Sequence, residues 1–213
     1  MSSLEQLDRA IMKREALMER LAGLDPDFLT TRPAPDSWSI TEVVEHMVLG
    51  EEGIVGDFSR LPDLPERRRG FLSWVGIRAV IGLLRFKVPL KVPFKSMIPR
   101  GETALPELDL RWADNHARLR SFVTGLDPAG LKRTIFRHPV SGPLTVEEGI
   151  RLLDTHLDRH MGQISRIERD LGSRGASGGE VGVTSGSDRE GTAVSSNAAK
   201  AGGAVAVDRG GIQ

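Results

Sequence analysis

The sequence predicts an all-α protein built as a four-helix bundle, and three observations carry that expectation. Four long stretches repeat apolar residues at helical spacing, with charges between them. Two of the stretches open on a capping box, Ser39-x-x-Glu42 and Thr145-x-x-Glu148. Glycine, proline and other turn formers stand between the stretches and interrupt them. Amphipathic helices of this kind bury their apolar faces against one another, which makes a bundle.

The first helix runs from Leu4 to Leu21, with Leu4, Leu7, Ile11, Met18 and Leu21 on its stripe; Gly23 and Pro26 end it. Pro33 and Pro35 make the stretch from Thr30 to Ser37 a loop. Ser39 or Thr41 caps the second helix. It carries Val43, His46, Met47, Gly50, Gly53 and Ile54 on one side and fades near Arg60. The third helix starts near Thr103, with Leu105, Leu108, Trp112, Leu119, Phe122 and Val123 as its stripe, and stops at Asp127-Pro128. Residues 129–144 read as extended or looped, with Ser141-Gly142-Pro143 as a turn. The fourth helix starts at Thr145, shows Ile150, Leu153, Leu157, Ile164, Ile167 and Leu171, and ends at Gly172.

Two segments stand outside this pattern. Residues 61–100 form an insertion between the second and third helices. With Arg60 counted, it holds ten basic residues against two acids, Asp63 and Glu66, a net +8. Phe71 to Leu84 is apolar apart from Ser73 and Arg78, and predicts one amphipathic helix at 71–86 followed by an irregular basic arm. That helix falls short of the ~20 residues a membrane span requires. It reads as a lid over the bundle mouth or a homodimer contact; peripheral membrane contact through 70–100 is a second reading. The other segment is 172–213, where eleven of 42 residues are glycine and no periodicity remains. Such a stretch buries too little apolar surface to offset its ordering entropy and reads as a disordered tail. The expected division is therefore a bundle over 1–171, with the insertion at 61–100, and a tail over 172–213.

Composition narrows the function. The 213 residues carry 29 basic and 29 acidic side chains, so no global field draws the chain to nucleic acid, and no nucleic-acid partner is expected. There is no cysteine, which removes disulfides, thiolate ligands and a cysteine nucleophile. There is no tyrosine to serve as a general acid. No Walker or dinucleotide glycine pattern occurs. Met1 to Gln6 shows no secretory signal, which makes a cytoplasmic protein the default.

The chemistry centres on three histidines. His156 and His160 are four apart on the fourth helix and share one face. His46 lies on the second helix, three after Val43 and four before Gly50, so it also faces inward. Three imidazoles with open positions left over are the ligand set of a catalytic divalent-metal site. Imidazole suits Zn, Ni and Fe alike, and the sequence does not choose among them.

Trp38-Ser39-x-x-Glu42-x-x-x-His46, followed much later by His156-x-x-x-His160-x-Gly162-Gln163-Ile164, resembles the DinB-like superfamily. The resemblance covers roughly residues 4–171 and implies a four-helix bundle in which these three histidines bind a divalent metal. It also implies thiol S-transfer, with a low-molecular-weight thiol and a small electrophile as partners, or hydrolysis. The 61–100 insertion departs from the family pattern.

Other residues carry open alternatives. Glu42, one turn before His46, is a candidate catalytic base or a group that orients the imidazole; Glu45, Glu51 and Glu52 read as solvated surface. Gln163 is a candidate hydrogen-bond partner for a ligand or substrate, or else a helix-to-helix contact. His116 reads as a core-edge histidine with a backbone or carboxylate partner, His138 as an exposed loop residue, and Trp38 as loop packing. The alternative to an enzyme is a non-catalytic metal- or ligand-binding stress-response module.

Overall fold

In the computed structural model of the chain, the structure describes residues 2–58, 71–85, 95–138 and 142–177. Four long helices make the bundle: α1 (Ser3–Ala22), α3 (Ile40–Phe58), α5 (Leu105–Thr124) and α7 (Val146–Ser177). Each packs against two others, in the ring order α1–α5–α3–α7. The remaining helices are α2 (Pro26–Thr30), α4 (Phe71–Arg85) and α6 (Pro128–Lys132), with a 3₁₀ turn at Lys95–Met97. Strands β1 (Thr134–His138) and β2 (Gly142–Thr145) pair antiparallel into one small hairpin. Of the turn expected at Ser141-Gly142-Pro143, Ser141 lies outside the described residues, while Gly142, with φ at 76°, and Pro143 open β2 opposite His138 and Arg137.

Local chemistry explains where the long helices begin. Ser39 and Glu42 close the expected box at α3: the Glu42 carboxylate accepts from the Ser39 N–H at 2.8 Å, and the Ser39 hydroxyl accepts from the Glu42 N–H at 3.2 Å. Thr145 and Glu148 do the same for α7. Ser2 and Glu5 form a third box at α1. Each satisfies backbone donors that a helix start leaves without partners.

The short elements depart from the expected loops. Pro26 does not merely end the first helix; with Asp25 as cap it starts α2. Asp127-Pro128 likewise starts α6, and α5 already ends at Thr124. Proline fits the first turn because its missing N–H has no partner there anyway. Gly172 does not end α7, which continues to Ser177. Glycine costs a helix only about 1 kcal/mol relative to alanine, too little to stop one anchored by a long apolar stripe. The helical body thus runs past the expected boundary at 171, and the rest of the predicted tail lies outside the described residues.

The core takes one side chain from nearly every turn. Leu7, Leu17, Met47, Leu108, Trp112, Leu119, Ile150, Leu157 and Ile164 are among its fully buried members. Leu4, Ile11, Leu105, Phe122 and Leu171, expected on the stripes, pack on its edge. Ion pairs set the rotation of α7. Buried Asp154 accepts from Gln6, Arg9 and Lys13 of α1, and Glu168 accepts from Arg20. At ~100° per residue, His156, two residues after Asp154, is turned about 200° away from α1.

Helix α4 of the insertion packs on α7 and on β2, burying Ile77 and Val80. No helix among the described residues is long and apolar enough to cross a membrane. Residues 59–70 and 86–94 carry much of the basic arm and lie outside the described residues. The part of the membrane-contact reading that rests on that arm lies there with it.

Candidate metal centre

His46 on α3 and His156 and His160 on α7 converge where these two helices face each other. One nitrogen from each ring lies within 4.8 Å of the others. Ring centroids are 4.4 Å apart for His156–His160, 4.9 Å for His46–His160 and 5.4 Å for His46–His156. His46 and His160 are buried and His156 is half-buried.

The far sides of two rings are already engaged. His46 Nδ1 donates to the Met97 carbonyl at 2.7 Å. His160 Nδ1 donates to Gln163 Oε1 at 2.8 Å. An oxygen acceptor at Nδ1 places the proton there and leaves the Nε2 lone pair free, which is the tautomer a metal needs. The Nε2 atoms of His156 and His160 stand 3.1 Å apart. Two nitrogens at ~2.0–2.1 Å from one ion, in tetrahedral directions, would be separated by about 3.3 Å. The chemistry of the donor set and the spacing of the α7 pair therefore fit a divalent ion.

Burial keeps the His46 and His160 imidazoles neutral. It pushes the His46 pKa down, against the raising effect of the Met97 carbonyl. Burial, followed by the neighbouring His46, pushes His160 down to about 3. Few protons compete for these lone pairs near neutral pH.

The glutamates of α3, expected on the surface apart from Glu42, have buried or half-buried positions and partners. Glu42 is held by Arg32 and the Ser39 N–H. Glu45 accepts from the Arg100 N–H at 3.0 Å and the Gly101 N–H at 2.7 Å. Glu52 takes Arg111 in a two-point contact at 2.8 and 2.9 Å. Glu51 Oε2 lies 3.1 Å from Nε2 of His116, and both side chains are buried in the core. His116 thus has its carboxylate neighbour and stands apart from the three-histidine group. The α3 acids stay buried because loop and α5 donors come to meet them, which helix periodicity does not show.

Glu42 acts here as a cap and an ion-pair partner. Burial raises its pKa, but Arg32 and the Ser39 N–H outweigh that and leave it below the ordinary carboxylate range. A folded pKa below the unfolded one adds stability above the unfolded value, and that stability is lost as pH falls through the folded pKa. Glu42→Ala is expected to cost roughly 1–3 kcal/mol in urea unfolding at pH 7, with the difference from wild type shrinking below about pH 4.

The three-residue helical turn at the end of the insertion is part of the site. Met97 supplies the carbonyl that holds His46, and its side chain lies against Gly50. Three residues on, Glu45 pins the backbone at Arg100 and Gly101. Gly101 holds φ at +72°, and a Cβ there would come within 3.3 Å of the Glu42 side chain. Gly101→Ala should therefore loosen residues 95–101. The expected result is a ~10–100-fold fall in metal affinity, the range for losing a partner that orients a ligand, read by competition with a chromophoric chelator. Sequence reasoning missed this strap, because its backbone carbonyl has no side-chain signature. Trp38, expected to pack the loop, also stands beside the site, with its ring 4.9 Å from that of His46. His138, expected to be exposed, has its side chain outside what the structure describes.

The comparisons with known proteins bear on the fold and the family. The fold is similar to that of YfiT from Bacillus subtilis, with a TM-score of 0.54 and 16% sequence identity, over 80% of this chain and 86% of that one. YfiT is reported as a "probable metal-dependent hydrolase with an unusual four-helix bundle topology". No match was found among curated proteins. Residues 9–164 match the DinB superfamily, a span that includes α3, α5, most of α1 and α7, and all three histidines. The chain belongs to the DinB superfamily.

Proposed function

We propose that the protein is a divalent-metal-dependent enzyme that activates an external nucleophile for attack on a small electrophile. One observation carries this reading: three imidazoles converge within 4.8 Å, with two of them locked in the ligating tautomer. A divalent ion, Zn, Ni or Fe, held by His46, His156 and His160 would supply Lewis acidity and lower the pKa of the nucleophile at a position left open. The chain's own residues then do three things. His46 and His160 keep their lone pairs aimed by donating to Met97 and Gln163. Gln163 is thereby a positioning residue. Trp38 and the 95–101 strap cover the His46 side.

A low-molecular-weight thiol is the nucleophile we favour over water. Glu42 and Glu45, the acids nearest His46 in sequence, are committed to structural partners, and Glu42 is a weak proton acceptor. A thiol ionises near pH 8.5 unaided and needs far less help than water. Because the chain has no cysteine, the sulfur comes from outside. A cytoplasmic setting, where thiols stay reduced, suits this chemistry.

The test is turnover by protein reconstituted with each metal, using a cytosolic thiol with an aryl halide, and separately an ester or amide. Metal-dependent thioether formation supports S-transfer, and metal-dependent cleavage without thiol supports hydrolysis. Metal bound near one equivalent with neither activity would make the protein a binding module.

A further inference from the structure

We propose that Arg159, with Arg166 beside it, recognises an oxyanion group of the substrate, a carboxylate or a phosphate, next to the three histidines. The proposal deepens the metal-enzyme reading and rests on it for the identity of the bound molecule as substrate. Arg159 is three residues after His156 and four before Gln163. At ~100° per residue it projects about 60° around α7 from His156 and about 40° from Gln163, at the border of the ligand face. Arg166 follows seven residues later on the same side.

Burial sets this residue apart from Arg151, Arg166 and Arg169, which also show no carboxylate contact among the described residues but are exposed. Arg9, Arg14, Arg20, Arg32, Arg111 and Arg120 each contact a carboxylate. Arg159 has no such partner among the described residues, although it is half-buried and its Nη1 is shut off from solvent without a hydrogen bond. The nearby charge is Arg166, of the same sign. Burial first, and Arg166 second, work against the Arg159 cation. A guanidinium taken from water without a counter-ion is costly, and folding alone gains nothing from it. The cost is recovered when an anion arrives. The planar fork of arginine suits carboxylate and phosphate oxygens in a two-point contact. An oxyanion held there would orient the rest of a small molecule across His156 towards the open side of the centre.

The experiment titrates succinate and inorganic phosphate into the full chain, with and without bound zinc, by calorimetry, for wild type and Arg159→Gln. The expected result is that wild type binds at least one of the two, and that the variant binds it at least tenfold more weakly with unchanged zinc content. Preference for succinate identifies a carboxylate substrate, and preference for phosphate a phosphorylated one. The metal-free arm reports on Arg159 alone, so failure to bind zinc would count against the metal reading and leave this measurement intact. Equal affinity in the variant, or no binding of either anion by wild type, overturns the proposal. Arg159→Met adds a readout that separates recognition from structure. Removal of an uncompensated charge should raise the melting temperature of the ligand-free protein, whereas a fall would make Arg159 a structural residue and also overturn the proposal.

Discussion

His160→Ala is expected to lose bound metal, with an affinity loss beyond ~100-fold. Loss of a partner that only orients a ligand costs ~10–100-fold, and His160 is itself a ligand at the centre of the group. Its Nε2 is 3.1 Å from that of His156, and its ring lies 4.9 Å from that of His46. Truncation leaves two imidazoles on different helices, a weaker chelate. Elemental analysis of tag-free protein purified without chelators gives the readout: near one equivalent in wild type and a trace in the variant. Gln163→Ala should fall between the two, because His160 remains but loses the acceptor that fixes its proton. Metal removal by a chelator should lower the melting temperature of wild type towards that of the His160→Ala variant, since a ligand that binds only the native state stabilises it by mass action. Retention of a full equivalent by His160→Ala would place the metal elsewhere.

Trp112→Ala should be the most destabilising single truncation in the core, at about 3–5 kcal/mol. That is a large share of the 5–15 kcal/mol typical of a whole domain. Trp112 is fully buried, sits on α5 between Leu108 and His116, and its ring lies 5.9 Å from that of His116. Its removal would open a cavity beside the buried Glu51–His116 contact. The indole N–H has no hydrogen-bond partner among the described residues. Trp112→Phe therefore removes an unsatisfied donor along with some volume, and the first effect offsets part of the second. It should cost below ~2 kcal/mol. Urea unfolding of the metal-free variants checks both values. A phenylalanine variant as unstable as the alanine one would mean that the indole N–H is satisfied by a buried water.

Much of the bundle was legible from residue order because its signals are local. Apolar spacing placed α1, α3, α5 and α7, and the Ser39–Glu42 and Thr145–Glu148 boxes placed two starts to the residue. Where the reading slipped, a local signal had two meanings. Proline at 26 and at 128 reads as a helix end but begins the next helix. Gly172 weakens a helix without stopping it, because packing further up α7 outweighs the glycine penalty.

By itself the sequence determined the helices, the inward faces of His46, His156 and His160, the absence of any protein thiol and the family. The helices and inward faces follow from periodicity, the missing thiol from composition, and the family from the resemblance carried by the Trp38–His46 and His156–Ile164 motifs; none of these depends on how distant segments meet. Only the tertiary structure decided which partners those groups have. It set the Met97 carbonyl on His46, Arg32 on Glu42 and the Arg100 and Gly101 N–H groups on Glu45, and among the described residues it left Arg159 without a carboxylate. The physical reason is that desolvation, hydrogen bonding and charge pairing act over a few ångströms in space, between atoms that at this site lie up to 56 residues apart in the chain.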